Sequence, residues 1–323
     1  MDLLGISLDP LRSKTIAILG YGNQGSAHAQ NLRDSGIDVK VGSRSGKSFD
    51  AAVRDGFSPI TAQQASRQSD VVMFLLPDHI IPSVYTDVSE ILLSGKKTVG
   101  FAHGSAYQFG GIRKFVECSY FLVGPKGAGA ILRDRFKKGD GLPGVFALGA
   151  GATAQTRALC LAYAKAIGVG ATFLRETTFQ EETECDLFGE QAVLCGGILR
   201  LMEKAFDVLV RNGHSEEMAF LECCYEARLI LELWLSFGPA GISERISPTA
   251  FFGGLTRGKR LIDERVEKEL DRMFDEVRSG KFSSEWQTEV EKGMPQLKEE
   301  KKRLAQSALQ RVYEKLRSEM NGF

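Results

Sequence analysis

The 323-residue chain has no net charge: 41 lysines and arginines balance 41 aspartates and glutamates. No bulk field therefore draws it to nucleic acid or to a membrane surface. It lacks any uninterrupted apolar run approaching the ~20 residues of a membrane span. Its first residues, Met1-Asp2-Leu3-Leu4, have neither the basic start nor the apolar stretch of a secretory signal. The six cysteines (Cys118, Cys160, Cys185, Cys195, Cys223 and Cys224) have no metal-ligand spacing, and the vicinal pair is unsuited to an ordinary disulfide. They read as buried, reduced thiols of a cytoplasmic protein. Internal repeats and low-complexity linkers are also absent, which excludes solenoids and flexible tethers. What remains, 43% hydrophobic and 25% charged residues, suits a soluble globular protein long enough for two domains.

The first half reads as a dinucleotide-binding domain. Residues 14–19 form a short apolar strand. Gly20-Tyr21-Gly22-Asn23-Gln24-Gly25 follows at once, and residues 26–32 are helix-like. Glycines at this spacing, between strand and helix, permit a tight turn and a close approach of a pyrophosphate to the helix N-terminus. His28 lies in that helix and reads as packing. An NAD site places an acid near the end of the next strand, residues 38–42. Here the end carries Arg44, Ser45, Lys47 and Ser48, which suit a 2′-phosphate, with Asp50 close by as the counter-signal. Residues 70–77 make a fully buried strand, and Leu76, Pro77 and Asp78 stand where a cofactor edge passes. Strands at 98–104 and 120–129 end in His103 and in Lys126 and Gly129, and a fourth lies at 144–148. Strands alternating with helices predict an α/β fold with a mostly parallel, doubly wound sheet, whose ligands lie beyond the carboxyl ends of the strands.

From Thr178 onward almost everything reads as helix. Thr178 and Glu181 fit a capping box. Asp186 and Glu190 are spaced i,i+4, and Phe188, Val193 and Leu194 say that much of their helix is buried. Glu222 and Glu226 repeat the spacing in the apolar segment 220–230. Two helices, each with two acids on one stripe, can form an all-oxygen cage for hard divalent cations such as Mg²⁺. The plainer alternative is solvated acids or salt bridges to Arg200, Arg228 or Lys204. Further helices are predicted over 193–211, 214–237 and 260–279. The charged, amphipathic segment 297–320 reads as a surface or partner-facing helix. The connection between halves is placed near Arg175-Glu176, giving domains at 1–177 and 178–323. The helical half leaves apolar faces to cover, so a homodimer or higher homo-oligomer is expected.

Several blocks together resemble ketol-acid reductoisomerase: Gly-Tyr-Gly-Asn-Gln-Gly-Ser-Ala-His-Ala at 20–29, Phe-Ala-His-Gly at 101–104, Pro-Lys-Gly at 125–127 and Glu-Thr-Glu-Cys-Asp-Leu-Phe-Gly-Glu-Gln-Ala-Val-Leu-Cys-Gly-Gly at 182–197. The resemblance covers nearly the whole chain, and its length matches the short class. It implies a Rossmann domain followed by a knotted helical domain, NADPH and two Mg²⁺ as cofactors, and a 2-hydroxy-2-acyl acid as substrate in branched-chain amino-acid synthesis. It also implies roles. Asp186 looks like the carboxylate bridging both ions and Glu190 like a ligand of one. Glu222 and Glu226 resemble the second-helix acids that come from the partner subunit, Glu226 with a catalytic share. His103 and Lys126 match the polar active-site residues, and Ser247 and Cys195 the substrate contacts. The loops depart from the pattern: Ser105-Ala106 follows His103-Gly104 in place of Phe-Asn, Ala128-Gly129-Ala130 follows Pro-Lys-Gly in place of Pro-Gly-His, and Pro248 follows Ser247 in place of Asn. Phe251-Phe252 also replaces Glu-Tyr. The alternatives are a paralogue acting on a related ketol acid, a metal-free 3-hydroxyacid-type dehydrogenase with Lys126 as acid/base, or a dinucleotide-binding protein without turnover.

Overall fold

The structure, a computed structural model, describes residues 5–320. Residues 1–4, read above for a secretory signal, lie outside the described residues. The chain divides into two compact units, Met1–Cys185 and Asp186–Phe323. The first unit runs α1 (Asp9–Arg12), β1 (Thr15–Leu19), α2 (Asn23–Asp34), β2 (Asp38–Gly42), α3 (Lys47–Arg54), α4 (Ala62–Arg67), β3 (Val71–Phe74), α5 (Ile81–Ser94), β4 (Thr98–Phe101), α6 (Ser105–Gln108), β5 (Ser119–Pro125), α7 (Gly129–Lys138), β6 (Leu142–Leu148), α8 (Ala154–Ala166) and β7 (Val169–Thr177). Its seven strands form one sheet in the order β2-β1-β3-β4-β5-β6-β7.

Alternation along the strands explains why both faces are covered. Ile16, Ile18, Val71, Met73, Phe121 and Val123 enter one core. Ala17, Leu19, Val72, Phe74, Val99, Phe101, Tyr120 and Leu122 enter the other. A strand buried on both sides reads as a continuous apolar run, as Val71–Phe74 does. Each buried Val, Leu, Ile, Met or Phe among them contributes on the order of 1.5–3 kcal/mol. The five strands β1 to β5 are parallel; β6 runs antiparallel to β5, and β7 follows β6. Strand β7 was not anticipated, and Arg175 and Glu176 lie inside it, paired with Val145 and Phe146, not in a connection. Through the pairs Phe101↔Leu122↔Ala147↔Thr177, the last residue of β7 stands level in the sheet with the last residue of β4.

His28 is packing, as expected. It is fully buried, with Nδ1 2.9 Å from the Tyr163 hydroxyl, and its Nε2 finds no partner among the described residues. Burial pushes its pKa down to about 3. The unfolded chain therefore binds a proton near pH 6.5 that the native chain excludes, so stability falls as pH drops below that value. The slope is about 1.4 kcal/mol per pH unit. Urea unfolding of wild type against His28→Gln should show wild type losing its advantage along that slope between about pH 6.5 and pH 4. A constant difference at every pH would count against it.

Helix α9 (Phe179–Gly189) carries the chain from the first unit into the second. A π-helical turn (Glu190–Leu194) follows, then α10 (Gly197–Arg211), α11 (Glu216–Phe220), a second π turn (Leu221–Tyr225) and α12 (Glu226–Gly241). The tail holds α13 (Pro248–Leu261), α14 (Glu264–Arg278), α15 (Lys281–Glu291), α16 (Pro295–Ala305) and α17 (Ala308–Glu319). The long helices predicted here are interrupted for local reasons. The span 214–237 is broken by the second π turn. Asp263 accepts the N–H groups of Arg265 and Val266 and starts α14 inside the predicted 260–279 helix. Ser307 caps α17 through the N–H of Gln310 and splits 297–320. That tail is also not simply a surface helix, since Val312 and Leu316 are buried with Phe206, Ala219 and Phe220 in the core of this unit.

Two expectations of burial fail in the single chain. Val193 and Leu194 are exposed. Of the cysteines only Cys118 and Cys160 are buried; Cys223 and Cys224 are half-buried, and Cys185 and Cys195 exposed. On α12 the apolar Leu229, Ile230, Leu231, Trp234, Leu235 and Phe237 are all exposed, and on α13 so are Phe251, Phe252 and Leu255. No described helix is long and apolar enough to cross a membrane.

Candidate active site

The three glycines after β1 do three different jobs. Gly20 has a φ of 96°, and a Cβ there would lie 2.7 Å from the Leu75 carbonyl oxygen. A Cβ on Gly25 would lie 2.1 Å from the Gly20 oxygen, so this position sets how closely α2 packs on the loop. Gly22 caps α2, and a Cβ there would meet nothing within 4 Å. Open space at the start of a twelve-residue helix, with a bare backbone facing it, fits a pyrophosphate. Asn23 and Gln24 hold the neighbouring loop: Asn23 Oδ1 accepts the N–H of Ala130 at 3.1 Å, and Gln24 Nε2 donates to the Gly127 oxygen at 3.0 Å. Gly129 is needed for that approach, because its Cβ would fall 1.9 Å from the Asn23 oxygen.

A cavity of about 910 Å³ opens beside this loop. Gly20, Tyr21 and Gly22 line one side of it, Arg44, Ser45, Lys47 and Ser48 another, and Leu76 and Pro77 a third. Arg44, Ser45, Lys47 and Ser48 are all exposed, and Gly46, at a φ of 132°, turns the chain between them into α3. Asp78 is half-buried in the turn beyond β3.

His103 and Lys126 lie just past the ends of β4 and β5, and one carboxylate joins them. Glu182, on α9, is 4% exposed. It accepts the backbone N–H of Gly104 at 2.8 Å, lies 3.2 Å from His103 Nδ1 and pairs with Lys126 Nζ at 3.8 Å. A buried carboxylate is tolerated only when so many donors surround it. Gly104 makes the approach possible: a Cβ there would lie 2.3 Å from Thr183 Oγ1. At the helix start, Thr178 Oγ1 accepts the N–H of Glu181 at 3.0 Å, the first half of the expected capping box. The Glu181 carboxylate is engaged by Thr177 and Arg175.

Glu182 was not singled out in the sequence. The available signal was the same i,i+4 spacing that marks Asp186 and Glu190, since Glu182 precedes Asp186 by four. Glu182 and Asp186 of α9, together with His103 from beyond β4, offer ligand atoms that all lie within 4.8 Å of one another. Two carboxylates and an imidazole in so small a space fit a divalent cation. The other acids proposed for a metal fall at breaks in helical register. Glu190 opens the first π turn, Glu222 lies in the second, and Glu226 opens α12 directly after it. All three are exposed. Turns of this kind are rare and cluster at functional sites. Ser247 is exposed and caps α13 by accepting the N–H of Ala250 at 3.1 Å. Cys195 lines a cavity of about 720 Å³ within the helical unit, together with Phe220, Cys224, Tyr225, Leu304 and Tyr313.

Comparison with known proteins gives concordant results over both units. Residues 10–172 match the family model for the acetohydroxy acid isomeroreductase NADPH-binding domain, and residues 179–322 that for the ketol-acid reductoisomerase C-terminal domain. The chain is 42% identical over 313 residues to a ketol-acid reductoisomerase (NADP(+)) of Methanothermobacter thermautotrophicus, covering 97% of this chain and 95% of the relative. It is 39% identical, with the same coverage, to the Methanocaldococcus jannaschii protein of that name. Among solved structures, an NADH-preferring ketol-acid reductoisomerase from an uncultured archaeon superposes with a TM-score of 0.92 at 35% identity, over 97% of this chain and 96% of that one.

Proposed function

The chain belongs to the ketol-acid reductoisomerase family, and from that premise we propose that it rearranges and reduces 2-acetolactate and 2-aceto-2-hydroxybutyrate with NADPH and two Mg²⁺, in branched-chain amino-acid synthesis in the cytoplasm. The observation that carries the proposal is one buried carboxylate, that of Glu182, shared by His103, Gly104 and Lys126 one helical turn before Asp186. A simple dehydrogenase needs one proton donor beside its carbonyl. An alkyl shift needs more. The proton of the C2 hydroxyl must leave as the alkyl group moves to C3, and the oxygen on C3 must receive one. The C2 oxygen, now a ketone, takes a second proton when hydride arrives.

Lys126 and His103, with Glu182 behind both, hold and return these protons, and Glu226 takes a share in that proton handling. When bound, NADPH supplies the hydride and Mg²⁺ the positive charge that lowers the cost of the alkoxide. Asp186 and Glu190 would hold the ions from one chain. Glu222 and Glu226 would complete the set from a second copy, docked through the exposed apolar faces of α12 and α13. Ser247 and Cys195 are assigned to the substrate.

The direct test is oxidation of NADPH with 2-acetolactate, with and without Mg²⁺. Turnover that needs both is expected. Activity that survives exhaustive EDTA would favour the metal-free dehydrogenase, and tight NADPH binding with no turnover would favour a non-catalytic protein. Cofactor choice is tested separately, because one similar structure is of an NADH-preferring enzyme. Arg44→Ala should raise KM for NADPH about tenfold, the size of one charge-assisted contact, and do so selectively. An equal loss with NADH would show that this loop does not read the 2′-phosphate.

A further inference from the structure

Tyr21 sits inside the glycine-rich loop, but its hydroxyl is engaged elsewhere. It donates to Asp55 Oδ2 at 2.7 Å, and Asp55 is the residue that closes the C-terminal end of α3. Gln30, from α2, donates to the same oxygen at 3.1 Å. The Arg33 guanidinium donates to the Asp55 carbonyl and lies 4.6 Å above the Phe57 ring. Phe57 in turn meets the buried Tyr21 ring edge-on at 5.6 Å. Loop, α2 and α3 are thus fastened at one joint. The opposite end of α3 carries a different load: Lys47 and Ser48 form its first turn, and Arg44 and Ser45 lie just before Gly46. An eight-residue helix is a strut of about 12 Å.

The two ends of the strut serve different parts of a dinucleotide. The glycine-rich loop faces the pyrophosphate, which NADH and NADPH share. The start of α3 faces only the group that distinguishes them. We infer that Asp55 is a positioning residue for cofactor discrimination: through the Tyr21 hydroxyl it fixes where α3 presents Arg44, Ser45, Lys47 and Ser48 relative to the glycine-rich loop. The inference rests on the proposed NADPH reading of that loop. A slackened joint shifts one set of contacts against the other, and a forked guanidinium–phosphate contact tolerates such a shift poorly.

The test is the ratio of dissociation constants for NADH and NADPH, read from nicotinamide fluorescence on the full-length protein. Asp55→Ala and Tyr21→Phe should each lower that ratio roughly threefold to tenfold, the scale of one ordinary hydrogen bond. Asp55→Asn, which still accepts from the Tyr21 hydroxyl, should keep most of the discrimination; a merely structural role would move both affinities together and leave the ratio in place. An unchanged ratio in Asp55→Ala and Tyr21→Phe overturns the inference. Arg44→Ala measured alongside keeps the two ideas apart, since an unchanged ratio there sinks the 2′-phosphate reading whatever Asp55 does. Thermal melts of each variant identify any that fold poorly, and for those the conservative Tyr21→Phe decides.

Discussion

Glu182→Gln should lower kcat by about a hundredfold or more, with a much smaller change in NADPH affinity. Glutamine keeps the shape and can still accept from the Gly104 N–H. It removes the negative charge that His103 and Lys126 share. Proton transfer by positioned groups contributes on the order of 10²–10⁴ in rate, so weakening both at once should reach that range. Glu182→Ala goes further. It leaves a buried N–H without its acceptor, at about 1–3 kcal/mol, so the melting temperature should fall together with the rate. Steady-state kinetics and a thermal melt separate the two effects. A glutamine variant within threefold of wild type would show that the carboxylate is scaffolding and takes no part in the proton chemistry.

The second large effect concerns assembly. Asp186→Asn and Glu226→Gln should each be inactive alone at saturating Mg²⁺. If each site combines Asp186 of one copy with Glu226 of another, mixing the two variants and allowing subunit exchange restores activity. In a symmetric dimer half the molecules are mixed and one of their two sites is intact, so recovery should approach about a quarter of wild type. Mass spectrometry establishes that mixed oligomers have formed. Inactive mixed oligomers would place all four acids in one chain.

These two predictions draw on different depths of legibility. The glycine-rich turn was readable because its cause is local: a strand, three glycines and a helix within twenty residues. The alternating, doubly buried strands were readable for the same reason. Glu182 was not, because its burial is created by Gly104 and His103, almost eighty residues upstream, while its neighbours look like the ordinary acids of a first helical turn. Strand β7 was missed because Val169–Thr177 lies at the sheet edge, begins Val-Gly-Ala and has only part of its length buried. The breaks at Asp263 and Ser307 override a continuous apolar period with a single capping side chain, which periodicity counts do not weigh. The exposed Val193 and Leu194 gave a correct apolar signal but a wrong location, since a single chain offers them nothing to pack on.

The π turn at Leu221–Tyr225 lets this stretch absorb a change of length. A wide turn holds one more residue than an α turn of the same height, so the helix after it keeps the direction it would have without the extra residue. Phe220, just before it, is anchored in the core with Phe206 and Leu316. Loss of either Cys223 or Cys224 would let the turn close into α geometry with Glu226 and α12 still facing as they do, whereas the same loss from a regular turn of α12 would swing everything beyond it by about 100° around the axis. Drift in length by one residue is therefore open to this turn and closed to the helix that follows.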